Sequence, residues 1–546
     1  MSRKSGGSDN YIKQGTILAA ASLFVRIIGM LYRFPMSNII GEEGNGIYSV
    51  AFELYDVMLI ISSYSLPLAI SKLVSSRRMK KEHRNILRIF RCALIFAIVM
   101  GGIAALVLFF GAGYFEGHVA SGKYTGLALP LRVLAPTVFL VALMGVFRGL
   151  YQGKGTMIPT AFSQIIEQIV NAVVSIYAAY SLMQAHNLSV SLAGWGAAGG
   201  TMGTLFGALS GLVILILIYM MYRPTLIRLA RRDRTGAVDS YGTIYKLIIL
   251  TALPIILSQT VYQISGIIDY SLLGSIQASK GWDDMAVKTA TGLYSTKYRL
   301  LLSVPIAIAT AMSSSILPSV ASSFAVKDVD SVKEKIAIGI KFNMLIAFPC
   351  FMGLTILGRP ILMLLYPGQD YVTGGTLLMT GSFAVVLYAV SNISGAVLQG
   401  IDKMRLPVIH SAIALAIHII VVLLLLLLTP MGVYALVAGN IVFPLVTSLL
   451  NMLAIYRYIG YRQEIRRTFL VPLIASVVMG VISGGFYFGI YHFWSHNMIL
   501  IVASVGIAIA VYFVMYLKLG GATKEEIYEF PMGVRIVKLA TKLKLM

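Results

Sequence analysis

The chain reads as an all-α polytopic membrane protein with fourteen transmembrane helices, on three observations. Of its 546 residues 58% are hydrophobic and only 12% charged, whereas ordinary soluble domains carry about a quarter charged residues. Apolar runs of 20 or more residues recur along the whole length, each able to cross a hydrocarbon core of roughly 30 Å. The basic residues are dense in one set of loops and nearly absent from the alternate set.

A polar tail, 1–14, carries basic residues and leads into the first span, 15–38. That start reads as a retained span rather than a cleavable signal peptide. Gly41-Glu42-Glu43-Gly44 separates it from the second span, 47–74, and Arg77-Arg78-Met79-Lys80-Lys81 precedes the third, 86–111. The fourth and fifth, 125–150 and 156–181, are joined by a short glycine-rich turn, and the sixth runs over 193–221. These six form an expected N-lobe, 15–222, followed by a basic linker, 223–243. An expected C-lobe, 244–457, holds spans at 244–272, 289–319, 338–358, 374–399, 405–428 and 433–456. Two further spans, 468–492 and 497–519, precede a basic tail, 520–546. Its last fifteen residues, Met532 to Met546, alternate apolar and basic residues, which suits either the inner membrane surface or a disordered tail.

The net charge of +22 raises the possibility of nucleic acid, but the placement of the charges points to a membrane. On this topology about 34 of the 44 lysines and arginines fall in the terminal tails, every second loop or the span ends that border them, four in the alternate loops and six deeper within spans. Basic loops stay in the cytoplasm, so both termini are expected there and the span count is even. The two cysteines, Cys92 and Cys350, sit far apart at or inside spans and suggest no disulfide framework.

Three short segments recur in order. Ser65-Leu66-Pro67-Leu68-Ala69-Ile70 matches Ser303-Val304-Pro305-Ile306-Ala307-Ile308, Tyr151-Gln152-Gly153 matches Leu398-Gln399-Gly400, and Gly194-Trp195-Gly196-Ala197 matches Gly432-Val433-Tyr434-Ala435. The repeat unit is therefore six spans. Six is even, so the two lobes are expected to be related by an axis along the membrane normal, with the last two spans outside the repeat.

Ionisable residues within spans are expensive and mark function or pairing. At about 1.5 Å per residue, Arg26 and Glu167 fall near the midplane. Arg33, Glu53, Asp56, Arg132, Asp269, Lys297 and Arg299 fall in the outer half, and Lys72 lies near the inner end of its span. Arg26 and Arg33 are two helical turns apart, close to one stripe. Lys297 and Arg299 are two apart, so only one is expected to reach a common cavity. Gln164, Gln168 and Asn171 extend a polar stripe about Glu167, and Gln259 and Gln263 add polar groups from the seventh span. The planar guanidinium fork suits a phosphate or diphosphate, so Arg26, Arg33, Arg299, Lys297 and Arg132 are candidate anion ligands. Glu53, Asp56, Glu167 and Asp269 are candidate cavity acids or coupling groups. The competing reading is that each charge belongs to an ion pair that locks two helices.

No enzyme constellation is present: Gly149 to Thr156 lacks the spacing of a phosphate loop, the seven histidines show no metal-ligand spacing, and no cofactor is expected.

Arg26-Ile27-Ile28-Gly29 with Tyr32-Arg33, Asn38-Ile39-Ile40-Gly41, Leu131-Arg132 with Pro136, and Ser313 to Pro318 resemble the MurJ and stage V sporulation protein B group. These are lipid II flippases of the multidrug/oligosaccharidyl-lipid/polysaccharide (MOP) exporter superfamily. The resemblance implies a transporter, not an enzyme, of the bacterial plasma membrane. It would flip an undecaprenyl-pyrophosphate-linked peptidoglycan precursor outward by alternating access, with membrane lipids and cell-wall synthesis proteins as partners. It also implies that Arg26, Arg33 and Arg299 are cavity arginines. Where some relatives carry basic residues in the second span, this chain has Glu53, Asp56 and Leu59-Ile60. The eleventh span holds His410 and His418 but no carboxylate, which gives no support for a sodium site there. Three other readings stay open: a flippase for other lipid-linked oligosaccharides, a cation-coupled drug exporter, and a non-transporting scaffold for cell-wall synthesis.

Overall fold

The computed structural model describes residues 21–22, 24–236, 238–494, 496–522 and 541. The N-terminal tail, the start of the first expected span and nearly all of the basic C-terminal tail lie outside these. The chain divides into two compact units, the first ending at Gly292 and the second beginning at Leu293.

In the first unit a helical stretch, 24–31, leads into α1 (Arg33–Leu59), which is broken at Gly41, where φ is 69° and ψ 179°. Only glycine adopts that backbone cheaply. The break frees carbonyls, and Asn45 serves them, donating through Nδ2 to Ser37 O at 3.0 Å and Gly41 O at 2.6 Å. A π-helical turn, Ile60–Tyr64, joins α1 to α2 (Leu66–Met79), with Pro67 at the start of α2. Proline has no N–H to donate back, and the wider turn accommodates that loss. The Ser62 and Ser63 hydroxyls donate to Met58 O and Leu59 O.

Next come α3 (His83–His118), α4 (Ala128–Gly153), α5 (Ile158–Ala185) and α6 (Leu192–Arg231). The last runs nine residues past the expected end of its lobe. α5 and α6 meet along Gly199, Gly203, Gly207 and Gly211, spaced four apart. A Cβ added at Gly199 would overlap the Ala179 backbone, and one at Gly203 the Ser175 hydroxyl and Asn171 carbonyl. Small residues at that spacing let helix backbones approach closely in a bilayer.

The segment after α6 is clipped to the turn between α2 and α3. Asp233 Oδ2 accepts from Arg84 N at 2.8 Å, Asp239 Oδ2 pairs with Arg77 at 2.6 Å, and Arg77 also pairs with Glu82 at 2.9 Å. Asn85 donates to Glu82 and accepts from Asp239 N. The Arg84 N–H and the Thr235 hydroxyl and N–H, against an opposing burial effect, lower Asp233 to about 2.

α7 (Tyr241–Ser279) starts on Ser240, whose hydroxyl caps Thr243 N at 3.1 Å. α8 (Asp284–Gly292) lies against α1 in backbone contact: a Cβ at Gly46 would overlap Lys288 O, and one at Gly292 would overlap Glu42 O. Lys288 Nζ, buried, reaches Glu43 Oε1 at 3.0 Å and Thr125 Oγ1 at 2.6 Å. Tyr124 Oη and Thr291 Oγ1 lie 2.7 Å apart. These contacts make α7 and α8 part of the first compact unit, whereas the expected lobe boundary precedes both. The expected lobes follow sequence similarity; the compact units follow packing.

The second unit opens with a π-helical turn, Leu293–Arg299, running into α9 (Leu300–Ala325). α10 (Val329–Leu365) is capped by Asp328. α11 (Tyr371–Gly381) and α12 (Ala384–Gly400) are bent by 48° to one another. α13 (Arg405–Leu428) and α14 (Tyr434–Ile459) follow, the latter stopped by Gly460 at φ 68°, a left-handed cap. α15 (Val471–Tyr491) and α16 (Asn497–Lys518) pack on α10: Ile356 fills the space over Gly480 and Gly484, and Tyr512 Oη donates to Leu345 O at 2.8 Å.

Among the described residues eleven helices are long and apolar enough to cross a membrane, or twelve if the bent α11–α12 pair counts as one span. The chain is thus a multi-pass, all-helical membrane protein. Gly153 ends α4 and Gly400 ends α12, and a π-helical turn precedes both Pro67 and Pro305.

Candidate functional site

The polar groups of the first unit gather on three seams. Along the first, α1 meets α7. Gln263 Nε2 donates to Asp56 Oδ2 at 3.3 Å, and one turn away the Glu53 carboxylate lies against Gly266, where a Cβ would overlap it. Residues three apart share a helix face, so the 53/56 spacing on one helix meets the 263/266 spacing on the other. Asp269, buried, continues this face of α7, and Gln259, half-buried, lies one turn before Gln263. Arg33 is half-buried among Tyr32, Tyr48 and Asp56.

The second seam joins α4 and α5. Arg148 Nη2 donates to Glu167 Oε2 at 2.6 Å, and Nε and Nη2 share the Ser163 hydroxyl at 3.3 Å. Arg148 was not among the expected site residues, because its place near the end of a span groups it with the basic cytoplasmic loop. The signal available was its i,i+19 relation to Glu167 across a short turn between two helices that must be antiparallel neighbours.

The polar stripe of α5 divides. Gln168 Nε2 faces Gly29 of the first helical stretch, 3.1 Å from where its Cβ would be. Gln164 Oε1 is buried without a hydrogen-bond partner among the described residues. Asn171 belongs to the third seam, between α5 and α6, where its Oδ1 accepts from Ser175 Oγ at 2.9 Å beside Gly203 and Gly207. Asn171, half-buried, thus packs between these two helices. Arg26 and Arg132 are both exposed on their helices.

In the second unit the π-helical turn separates Lys297 from Arg299. Lys297 is 0% exposed; its Nζ donates to Asp370 O at 2.9 Å, and its stem lies against Gly374 of α11. Asp370 in turn caps α11, accepting from Val372 N at 3.0 Å and Thr373 N at 2.9 Å. Burial raises the Asp370 pKa, but the Thr373 hydroxyl and N–H, the Lys297 charge and the Val372 N–H outweigh it and hold this carboxyl below its usual range. The Lys297 charge is therefore engaged within its own unit, and Arg299 is the one of the two that stays partly exposed.

His410 of α13 lies 2.8 Å from Asn451 Oδ1, and Asn451 Nδ2 donates to Ser394 Oγ at 3.2 Å. That triad joins α12, α13 and α14. Among the described residues no group of three or more His, Cys, Asp or Glu side chains is placed to hold a metal ion.

Comparison with known proteins fits this architecture. The family described as "Polysaccharide biosynthesis protein" matches residues 11–324, and the MatE family matches 254–424. The lipid II flippase MurJ of Bacillus subtilis (strain 168) is 24% identical over 535 residues, covering 94% of this chain and 96% of its own. A solved structure of lipid II flippase MurJ in an inward closed conformation superposes with a TM-score of 0.67 at 14% identity, covering 92% of this chain and 98% of that one. An inward-facing multidrug resistance MATE family transporter of the MOP superfamily also superposes at 0.67, at 15% identity, covering 79% and 94%.

Proposed function

The chain belongs to the polysaccharide biosynthesis protein family of the MOP exporter superfamily, and from that premise we propose that it flips a lipid-linked diphosphate precursor, lipid II, from the inner to the outer leaflet of a bacterial plasma membrane. The observation that carries this reading is a set of guanidinium groups in apolar helical segments that stay wholly or partly exposed: Arg26, Arg33 and Arg299. A cation at membrane depth costs about 2.5–3.5 kcal/mol on the translocon scale, and a planar fork matches phosphate oxygens bidentately. The chemistry needs no covalent step. Guanidinium groups hold the diphosphate, the polyprenyl tail stays in lipid, and alternating access carries the headgroup across. Asp56 sits close enough to Arg33 to offset its charge. Both termini are cytoplasmic on this reading, as the basic loops require.

The test is reconstitution of the full chain in vesicles with fluorescent lipid II and a leaflet-specific quencher. Flipping by the parent, with at least tenfold loss in Arg33→Gln and Arg299→Gln at unchanged vesicle incorporation, is the expected result. Full activity in both variants, or no flipping by the parent, would overturn it.

A second reading, export of a cationic small molecule, is favoured by the MatE match and by the acids Glu53, Asp56, Glu167 and Asp269. In the same vesicles, ethidium efflux abolished by Asp56→Asn, with lipid II left unmoved, would select it.

A further inference from the structure

A guanidinium that serves only as a lock has no reason to leave two of its five donors unmatched. Arg148 does so: through Nε and Nη2 it reaches only Ser163 Oγ and Glu167 Oε2 among the described residues. The contact to Glu167 uses one carboxylate oxygen at 2.6 Å instead of the two parallel bonds of a fork-to-fork pair. The Nη1 edge is left over. Neither side chain is sealed, the arginine being 14% and the glutamate 26% exposed.

The pair lies at a definite depth. Arg148 is five residues before Gly153, the end of α4, and Glu167 nine residues after Ile158, the start of α5. At 1.5 Å per residue the two stand roughly 8 and 14 Å in from the turn that joins those helices. Arg78 of the basic segment 77–81 donates to Lys154 O in that turn, and Lys154 lies over Tyr222, so on the proposed topology the pair sits in the inner half of the membrane. Around it the packing is rigid: the Glu167 stem lies 3.4 Å from a Cβ position at Gly211, and Ser163 is itself tied to Thr160 O at 2.9 Å.

We infer that Arg148 is an anion-binding side chain, taking a diphosphate presented from the inner leaflet, and that Glu167 is its internal competitor, covering the guanidinium with one oxygen where a phosphate oxygen would otherwise sit. This rests on the reading of the chain as a carrier of a lipid-linked diphosphate, and adds to it a receiving residue in the inner half of the first unit. A carboxylate and a phosphate oxygen offer the same acceptor chemistry, so one can replace the other without leaving the guanidinium bare, and the displaced Glu167 carboxylate, 26% exposed, is taken up by water. The fork gains a second bond in the exchange, because a diphosphate can engage Nη1 and Nη2 together.

The inference separates cleanly from a lock. A lock works equally well with its charges exchanged between helices; an anion receiver does not, because the exchange moves the cation to α5 and puts a carboxylate at the receiving position. The full-length protein in nanodiscs is titrated with undecaprenyl diphosphate, and competition is then measured with inorganic pyrophosphate, which distinguishes a lipid-borne ligand from a free one. Parent, Arg148→Gln, Arg148→Lys, Glu167→Gln and the exchange R148E/E167R are compared, each with its melting temperature.

Expected are at least tenfold weaker binding in R148Q and in the exchange variant, an intermediate value for R148K, and several-fold tighter binding in E167Q. Pyrophosphate should compete in the parent and lose that effect in R148Q. If R148Q proves unstable, R148K and E167Q decide, since each keeps a polar side chain of similar length. Binding by the exchange variant equal to that of the parent, or weaker binding in E167Q, would overturn the inference and leave the function standing. A parent that binds no undecaprenyl diphosphate would overturn both.

Discussion

The carboxylate of Asp56 accepts a hydrogen bond from Gln263 across 3.3 Å, joining helices whose residues stand 207 positions apart. With Glu53 on Gly266 one turn away, this is a two-rung seam between α1 and α7 that sits beside Arg33. A polar contact in a low-dielectric region is costly to leave unmade.

Gln263→Leu should therefore lower the melting temperature, by the equivalent of about 1–3 kcal/mol. Asp56→Asn should cost less, because an asparagine carbonyl still accepts from the Gln263 amide. Thermal scans of the two variants in one detergent check the order; equal losses would show that charge, and not the hydrogen bond, matters on this seam.

The α5–α6 seam makes a sharper stability prediction. Gly199→Ala places a methyl group into the Ala179 backbone, which cannot give way as a flexible side chain would. Overpacking of this kind costs about 1–3 kcal/mol. Gly102→Ala, on α3, meets nothing within 4 Å, and removing a mid-helix glycine there should be neutral or stabilising by up to about 1 kcal/mol. Melting temperatures moving in opposite directions in these two single-methyl variants are the expected outcome.

The clip on the segment after α6 predicts a pH dependence. Asp233 is lowered to about 2, chiefly by the Arg84 N–H, and Glu82 is lowered by Asn85 and Arg77. A carboxyl whose folded pKa is depressed stabilises the folded form above its unfolded pKa, and that contribution is lost as pH falls through the folded value. The clip should be constant from pH 8 to 5, weaken below an unfolded value of about 4, and be gone near pH 2. Acid-protease cleavage between residues 232 and 240, followed from pH 5 to 2, reads this directly. In Asp233→Asn the segment should be cut readily even at neutral pH by trypsin at Arg234.

Lys297 and Arg299 should separate in their effects. Lys297→Met keeps the stem against Gly374 but removes the donor to Asp370 O, so it should cost stability, about 1–3 kcal/mol. Arg299→Gln should leave the melting temperature within a few degrees and reduce transport. Melting curves and the vesicle assay on both variants test the division; a transport defect in Lys297→Met at parental stability would return Lys297 to the ligand set.

Much of the architecture was legible in the chain. Length and apolarity located the helices: the run 433–456 corresponds to Tyr434–Ile459 and 405–428 to Arg405–Leu428. These signals are local, since a backbone in hydrocarbon must satisfy its own hydrogen bonds and forms helix wherever the apolar run is long enough. The spacing of Glu53 and Asp56 gave their common face for the same reason. Less legible were the breaks. In the sequence Gly41 opens a polar gap between two spans, whereas the structure carries helix on both sides of it, with Asn45 closing the freed carbonyls. The glycine spacing on α6, plain once its partner is known, carries no information about which helix that partner is.

The site was less accessible still. Arg148 falls on a boundary between span and loop that hydropathy places only to within several residues, and its meaning comes from Glu167 on the neighbouring helix. Two residues apart in sequence, Lys297 and Arg299 look equivalent until a π-helical turn and Asp370 distinguish them.

The amino-acid sequence alone determined that this is a polytopic helical membrane protein, where its apolar helices run, which loops are basic, and which rare charges sit at membrane depth. Those properties depend on composition within one or two dozen residues, and on the energy of moving such a segment from water into lipid. Only the tertiary structure decided which charges pair, which glycines mark a seam, and which guanidinium groups keep some exposure. Each of these depends on the rotation of one helix against another, and a difference of one residue, about 100° around the axis, turns a side chain from its partner to the opposite face.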